Sequence, residues 1–254
     1  MKRKKIIIDT DPGQDDAVAI LLALASEELQ VLGITCVAGN VPLRRTVENA
    51  RKVLELTKHI DVPVFAGAEH PISRKLVTAE HVHGKTGLDG PILDTPKIKL
   101  QEIGAVEFII KTVLSHKKKE VTICTLGPLT NLALAIRLEP RIKNKIKEVV
   151  MMGGGFFEGG NITPAAEFNI YVDPEAAAEV LRSGIPLVML PLDVTHKALT
   201  SRSRIEAFRK IGNRAGRATA EMLDFFERFD VEKYGGEGGP LHDPNVIAYL
   251  LKPD

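Results

Sequence analysis

Lys4-Lys-Ile-Ile-Ile-Asp-Thr-Asp-Pro-Gly-Gln-Asp-Asp-Ala17 carries a β-branched run straight into an acidic turn and out into a helical pattern. Lys4–Asp9 reads as a strand whose consecutive isoleucines suit a sheet covered on both faces. Pro12 and Gly13 break it, and Asp15–Ala25 takes up helical spacing. The same alternation recurs along the chain. Gln30–Cys36, Val62–Phe65, Val121–Leu126, Val149–Met152 and Pro186–Pro191 read as strands; Leu43–Leu56, Ile103–His116, Pro174–Ser183 and Asp243–Leu251 read as helices. In the first of these helices Val47, Ala50, Val53, Leu54 and Thr57 share a face, with Arg44, Arg45, Glu48 and Arg51 toward water. Such alternation specifies an α/β fold: an open, mostly parallel, Rossmann-like sheet with right-handed crossovers and helices on both faces. The charged stretch 201–232 has helical composition and reads as an outer layer, and 235–240 is a glycine-rich loop.

The 254 residues are expected to form a single domain, 1–254. Lys+Arg at 34 against Asp+Glu at 33 leaves a net charge of +1, which argues against a nucleic-acid partner needing a basic face. The basic run Lys2–Lys5 is followed by only three isoleucines, too few for a signal peptide, and no apolar run is long enough to cross a bilayer. A cytoplasmic protein without membrane contact is expected. Cys36 and Cys124 fall in apolar runs and read as buried thiols, and the lack of a Cys/His cluster argues against zinc.

In open α/β sheets ligands bind beyond the carboxyl ends of the strands, so the segments that follow the strands carry the functional information. They are polar and glycine-rich: Asp9–Asp16, Val37-Ala-Gly-Asn40, Leu126-Gly-Pro128 and Gly153-Gly-Gly155. In the first, Asp9, Asp11, Asp15 and Asp16 crowd within eight residues. One carboxylate suffices to cap a helix, whereas four converging ones repel unless a cation sits among them. Oxygen donors without thiolate or imidazole suit a hard ion such as calcium or magnesium. The spacing is not that of an EF-hand. An Asp-x-Asp strand end also resembles haloacid-dehalogenase-type phosphatases, although here Pro12, Gly13 and a second acidic pair intervene.

Asp9-Thr-Asp-Pro-Gly-Gln-Asp-Asp-Ala17 resembles the opening motif of the inosine-uridine-preferring nucleoside hydrolase family. The likeness continues through Val37-Ala-Gly-Asn40, His81-Val-His-Gly84, Gly127-Pro-Leu-Thr-Asn131 and Met151-Met-Gly-Gly-Gly155. Ala166-Glu-Phe-Asn-Ile170, Asp173-Pro-Glu-Ala176 and Leu241-His-Asp-Pro244 complete it, in the family's order and over nearly the whole chain. The resemblance implies the nucleoside hydrolase fold, C-terminally short because it lacks the usual extension after the His-Asp-Pro block. It implies calcium-dependent hydrolysis of ribonucleosides to ribose and free base by a homo-oligomer, a dimer or tetramer. Asp11, Asp16, Asp243 and the backbone carbonyl of Leu126 are then the calcium ligands. Asp15, Asn161, Glu167 and Asn169 hold the ribose, Asn40 lies near the attacking water, and Asp9 supports the loop.

Cleaving an N-glycosidic bond needs an activated water, fixed ribose hydroxyls and help for the departing base. Asp11 is the expected general base. His242 is the family-like proton donor to the base, and His83 can approach the base from another side. Base preference is expected to lie with the His83 loop and with 225–234. There Phe225 and Phe229, at i,i+4, read as core packing, and Tyr234 reads as a gate. The wording around Lys233-Tyr-Gly and Gly239–Pro244 leans toward pyrimidine nucleosides. A catalytically impaired ribose- and metal-binding protein on the same fold is the alternative, followed by the phosphatase.

Overall fold

The computed structural model describes residues 3–235 and 238–253. Its sheet has six strands in the order β3-β2-β1-β4-β5-β6. They are β1 (Lys4–Thr10), β2 (Leu29–Cys36), β3 (Val64–Ala66), β4 (Val121–Thr125), β5 (Glu148–Met152) and β6 (Leu187–Leu190). All pairings are parallel. The helices in chain order are α1 (Gln14–Ala25), α2 (Leu43–Thr57), α3 (Glu80–His83), α4 (Ala105–Ser115), α5 (Thr130–Leu138) and α6 (Phe168–Val172). They continue with α7 (Pro174–Leu181), α8 (Leu192–Thr195), α9 (Arg202–Lys210), α10 (Arg214–Tyr234) and α11 (Pro244–Leu251).

The central strand shows why both faces are covered. Side chains alternate across a strand, so Ile6 and Ile8 enter one core and Ile7 the other. Ile6 and Ile8 pack with residues of α1, α2 and α11, including Ile20, Val53 and Ile247. Ile7 packs with residues of α4, α5 and α7, including Ile109, Leu132 and Val180. All three isoleucines are fully buried, each contributing roughly 1.5–3 kcal/mol of transfer free energy.

α1 has no wet face to speak of. Ala17 and Ile20 meet the sheet-side core, while Val18 packs with Ile205, Ala220 and Leu223 of α9 and α10. The charged stretch 201–232 is thus an outer layer laid over α1. It also carries the aromatic residues of α10 toward the strand ends.

From β1 the chain builds β2 and β3 on one side, then crosses to β4 on the other. The loops after β1 and β4 therefore part around a crevice, which is the topological switch point where such sheets bind ligands.

Local differences from the sequence reading have physical causes. β3 starts at Val64 because Pro63 has no N–H to donate; only its carbonyl joins the sheet, accepting from Ile34 N at 2.9 Å. α1 starts one residue early, with Gly13 as its N-cap. α5 is an additional helix entered directly from the Gly127–Leu129 turn. Glu167 caps α6, a short helix that the sequence reading did not include, and Asn169 lies in its first turn. The side chain of Tyr234, the expected gate, and residues 236–237 lie outside the described residues.

Candidate active site

The acidic loop is ordered by its own polar groups. Asp16, in the first turn of α1, accepts Gly13 N at 2.9 Å, the Thr10 hydroxyl, and Asn40 Nδ2 at 3.1 Å. Capping and clustering are therefore one arrangement, since the carboxylate that closes the helix also faces its acidic neighbours. Asp15, Asp16 and Asp243 bring carboxylate oxygens within 4.8 Å of one another. Asp243 comes from the loop before α11, which packs on α1 and carries it to the crevice.

Asp11 stands beside this trio in a slot cut to its size. Its Oδ2 accepts Asn40 N at 2.7 Å, and Oδ1 is buried without a partner. A Cβ on either Gly39 or Gly127 would fall 2.1 Å from the Asp11 carboxylate. Only glycine at both positions allows the loops after β2 and β4 to close on the acid. Asp9 lies further in, where its Oδ1 accepts from Thr35 Oγ1 at 2.5 Å and Asn131 Nδ2 at 2.8 Å. It braces the loop from below.

Burial and the neighbouring carboxylates raise the proton affinity of the whole group. Asp15 is pushed up to about 8, and Asp11, Asp16 and Asp243 are raised as well, with burial the largest cause for each. Asp9 rises to about 6, mainly through burial. Asp9 Oδ2, Asp11 Oδ1 and Asp15 Oδ1 are all buried and unpaired. An all-oxygen donor set with orphaned lone pairs and uncompensated charge fits a hard divalent cation. Asp15, Asp16 and Asp243 can hold a metal ion.

Above the acids lies a cavity of about 210 Å³, the scale of a small molecule. Asp15, Asn40, Leu126, Asn161, Glu167, Asn169 and Asp243 line one part of it. Glu167 accepts Gly154 N and Asn169 N, both at 3.0 Å, and burial raises its carboxyl to about 6. Asn169 Nδ2 donates to Leu126 O at 2.8 Å, leaving that carbonyl one further lone pair. Asn161 Oδ1 accepts Phe168 N at 2.9 Å, which fixes the loop over the entry.

Imidazole and aromatic rings also line the cavity. His83 is buried and stacks on Phe226, ring centroids 5.4 Å apart. His81 meets Phe229 edge-on at 5.5 Å. His242 Nδ1 lies 2.8 Å from Thr195 Oγ1, and its ring is 6.0 Å from that of His196. Burial lowers His83 and His242 to about 3, so both rings are neutral around pH 7.

The family description that matches the chain, over residues 6–254, is "Inosine-uridine preferring nucleoside hydrolase". The chain belongs to this family. Pyrimidine-specific ribonucleoside hydrolase RihA of Salmonella typhimurium is 52% identical over 250 residues, 98% of this chain and 80% of that protein. RihA of Photobacterium profundum is 49% identical over 252 residues, 99% of this chain and 81% of that protein. Among solved structures, a purine-preferring ribonucleoside hydrolase from Gardnerella vaginalis superimposes with TM-score 0.95 at 34% identity, covering 98% of this chain and 80% of that one.

Within this nucleoside hydrolase chain, the cavity gathers Asp15, Asn40, His83, Leu126, Asn161, Glu167, Asn169, His242 and Asp243. Asp11 and Asp16 are not on its lining; they sit just behind Asn40. The tight acidic trio contains Asp15 and not Asp11, a grouping different from the one the resemblance implies. His196 is a lining residue that sequence reasoning missed, whereas Phe226 falls within the 225–234 segment expected to set base preference. His196 follows β6, whose trailing segment, like that of β3, lies outside the four segments singled out in the sequence. Phe229, read as core packing, faces the cavity, whereas Phe225 turns away and lies under the Arg228 guanidinium. Both cysteines are free and buried, and among the described residues no helix is long and apolar enough to cross a membrane.

Proposed function

We propose that the chain hydrolyses the N-glycosidic bond of ribonucleosides in a calcium-dependent reaction, with pyrimidine nucleosides preferred. The single observation that carries this is the convergence of four buried aspartates, from both ends of the chain, beneath a cavity lined both by polar groups and by His and Phe rings. Polar lining groups match a sugar, and rings match a base. The pyrimidine preference is supported by 52% identity to a pyrimidine-specific relative, against 34% to a purine-preferring one.

Asp16 and Asp243 would hold the ion, with Asp11 and the Leu126 carbonyl as the family pattern implies. A bound calcium supplies Lewis acidity toward sugar and water oxygens. Asp15, Asn161, Glu167 and Asn169 bind and orient the ribose hydroxyls. Asp11 Oδ1, the unpaired oxygen, takes the proton of the attacking water, whose oxygen bonds to C1′ as the C1′–N bond breaks. The bond's electron pair leaves with the base. Thr195 can donate to His242 Nδ1, which leaves the ring N–H on Nε2 as a neutral hydrogen-bond donor to the departing base, whose anion then takes its proton from water. The surrounding carboxylates favour the positive charge that develops on the sugar. A homo-oligomer working in the cytoplasm completes the proposal, supported by the family resemblance and the reduced thiols.

The test is release of reducing sugar from uridine, cytidine and inosine, with and without a calcium chelator. Chelator-sensitive release, greater from the pyrimidines, is expected. Nucleosides that bind but stay intact would leave a binding protein, and phosphate release from a phosphorylated substrate would favour the phosphatase.

A further inference from the structure

Gln14 stands between two acidic residues and a histidine, and it is fully buried. Its Nε2 donates to two backbone carbonyls, His83 O at 2.9 Å and Asp89 O at 3.0 Å. Its Oε1 lies 2.8 Å from His83 Nδ1. An amide nitrogen only donates and an amide oxygen only accepts, so the flipped amide would set Oε1 against two carbonyl oxygens. The orientation is therefore fixed, and Oε1 can pair with Nδ1 only when Nδ1 carries a proton.

The ring has little freedom to escape this pairing. Phe226 stacks on it at 26° between planes. The α1 N-terminus abuts it so closely that a Cβ on Gly13 would lie 2.4 Å from Nδ1. His83 N donates to Ala79 O at 3.0 Å, anchoring the backbone. The following loop is stapled by Asn49 Nδ2, which donates to Pro12 O at 3.0 Å and Thr86 O at 2.8 Å.

We propose that Gln14 is a positioning residue that locks His83 in the Nδ1–H tautomer, leaving Nε2 to the cavity as a hydrogen-bond acceptor for an N–H or O–H of the nucleoside. Burial keeps the ring neutral at pH 7. His83 then recognises a donor on the substrate, and hydrogen bonding to the departing base falls to His242. The tautomer is a property of the protein alone; only the substrate contact rests on the nucleoside hydrolase function proposed above.

The test joins a spectrum to a rate. Long-range proton–nitrogen NMR of the ligand-free protein with ¹⁵N-labelled histidine, assigned with a His83→Asn control, should show a pyrrole-type Nδ1 and a pyridine-type Nε2 for His83. Gln14→Leu and the near-isosteric Gln14→Met, neither of which offers an acceptor oxygen, should both lose that pattern. On uridine, Gln14→Leu should lower kcat/KM about tenfold, mainly through KM. A proton on Nε2 in the wild type overturns the proposal, as does an unchanged tautomer in Gln14→Leu. If Gln14→Leu does not fold, the wild-type and Gln14→Met spectra decide. A wild type that cleaves no nucleoside but shows the Nδ1–H pattern refutes the proposed function while leaving the lock standing.

Discussion

Among the buried acids, Asp11 and Asp15 each keep one oxygen unpaired, yet their surroundings differ. Asp11 is clasped by two glycines and an Asn40 N–H, whereas Asp15 joins Asp16 and Asp243 in the tight trio. Asp11→Asn, which preserves shape, should lower kcat by about 10²–10⁴-fold, the usual contribution of a general base. Unchanged kcat in that variant would remove Asp11 from the chemistry. The acidic trio groups Asp15 with the ion whereas the family resemblance puts it on the sugar, and calorimetry of Asp15→Asn should separate the two. Weakened calcium binding places it with Asp16 and Asp243, while intact calcium binding with a raised KM places it on the ribose. Glu167 carries a pH signature. Its folded value of about 6 exceeds the ordinary 4.5, so the native state holds its proton longer than the unfolded chain does. Stability from this group is full below about pH 4.5 and falls as pH rises through 6, by on the order of 2 kcal/mol. Glu167→Gln should flatten that part of the Tm–pH curve, and an unaltered slope would show that the group is not responsible.

At the scale of elements, the six strands were legible because a parallel sheet buried on both faces writes continuous β-branched runs. What periodicity cannot state is which flank of a helix meets a cavity. Phe225, Phe226 and Phe229 all satisfy helical spacing, yet only Phe226 and Phe229 line the site. α5 was hidden because its first turn continues a glycine-proline turn, and His196 because a lone histidine carries no pattern. The approach of Asp243 to Asp15 spans most of the chain; local spacing could not show it, and only the ordered family motifs suggested it. α10 is placed by packing on α9 and α1, so its cavity face can be altered without touching the acids. Phe229→Ala should raise KM for uridine while leaving calcium affinity unchanged. A parallel loss of both would mean that α10 supports the whole crevice and not the base wall alone.

For the whole molecule, four carboxylates buried together cost the fold stability unless a cation binds among them. A cation that binds only the native state stabilises it by about 2.7 kcal/mol at a hundredfold excess over Kd. For a chain of this size that corresponds to a rise in Tm of roughly 5–10 °C. Calcium added to chelator-stripped protein should therefore raise Tm, and Asp243→Asn should abolish most of the rise. The same dependence supplies the most direct measurement of all: uridine hydrolysis by stripped protein as calcium is restored, run beside Asp11→Asn at matched occupancy. The expected result is ribose release that returns saturably with calcium in the wild type and stays near background in Asp11→Asn. Equal release without calcium, or equal rates in the two proteins, would contradict it.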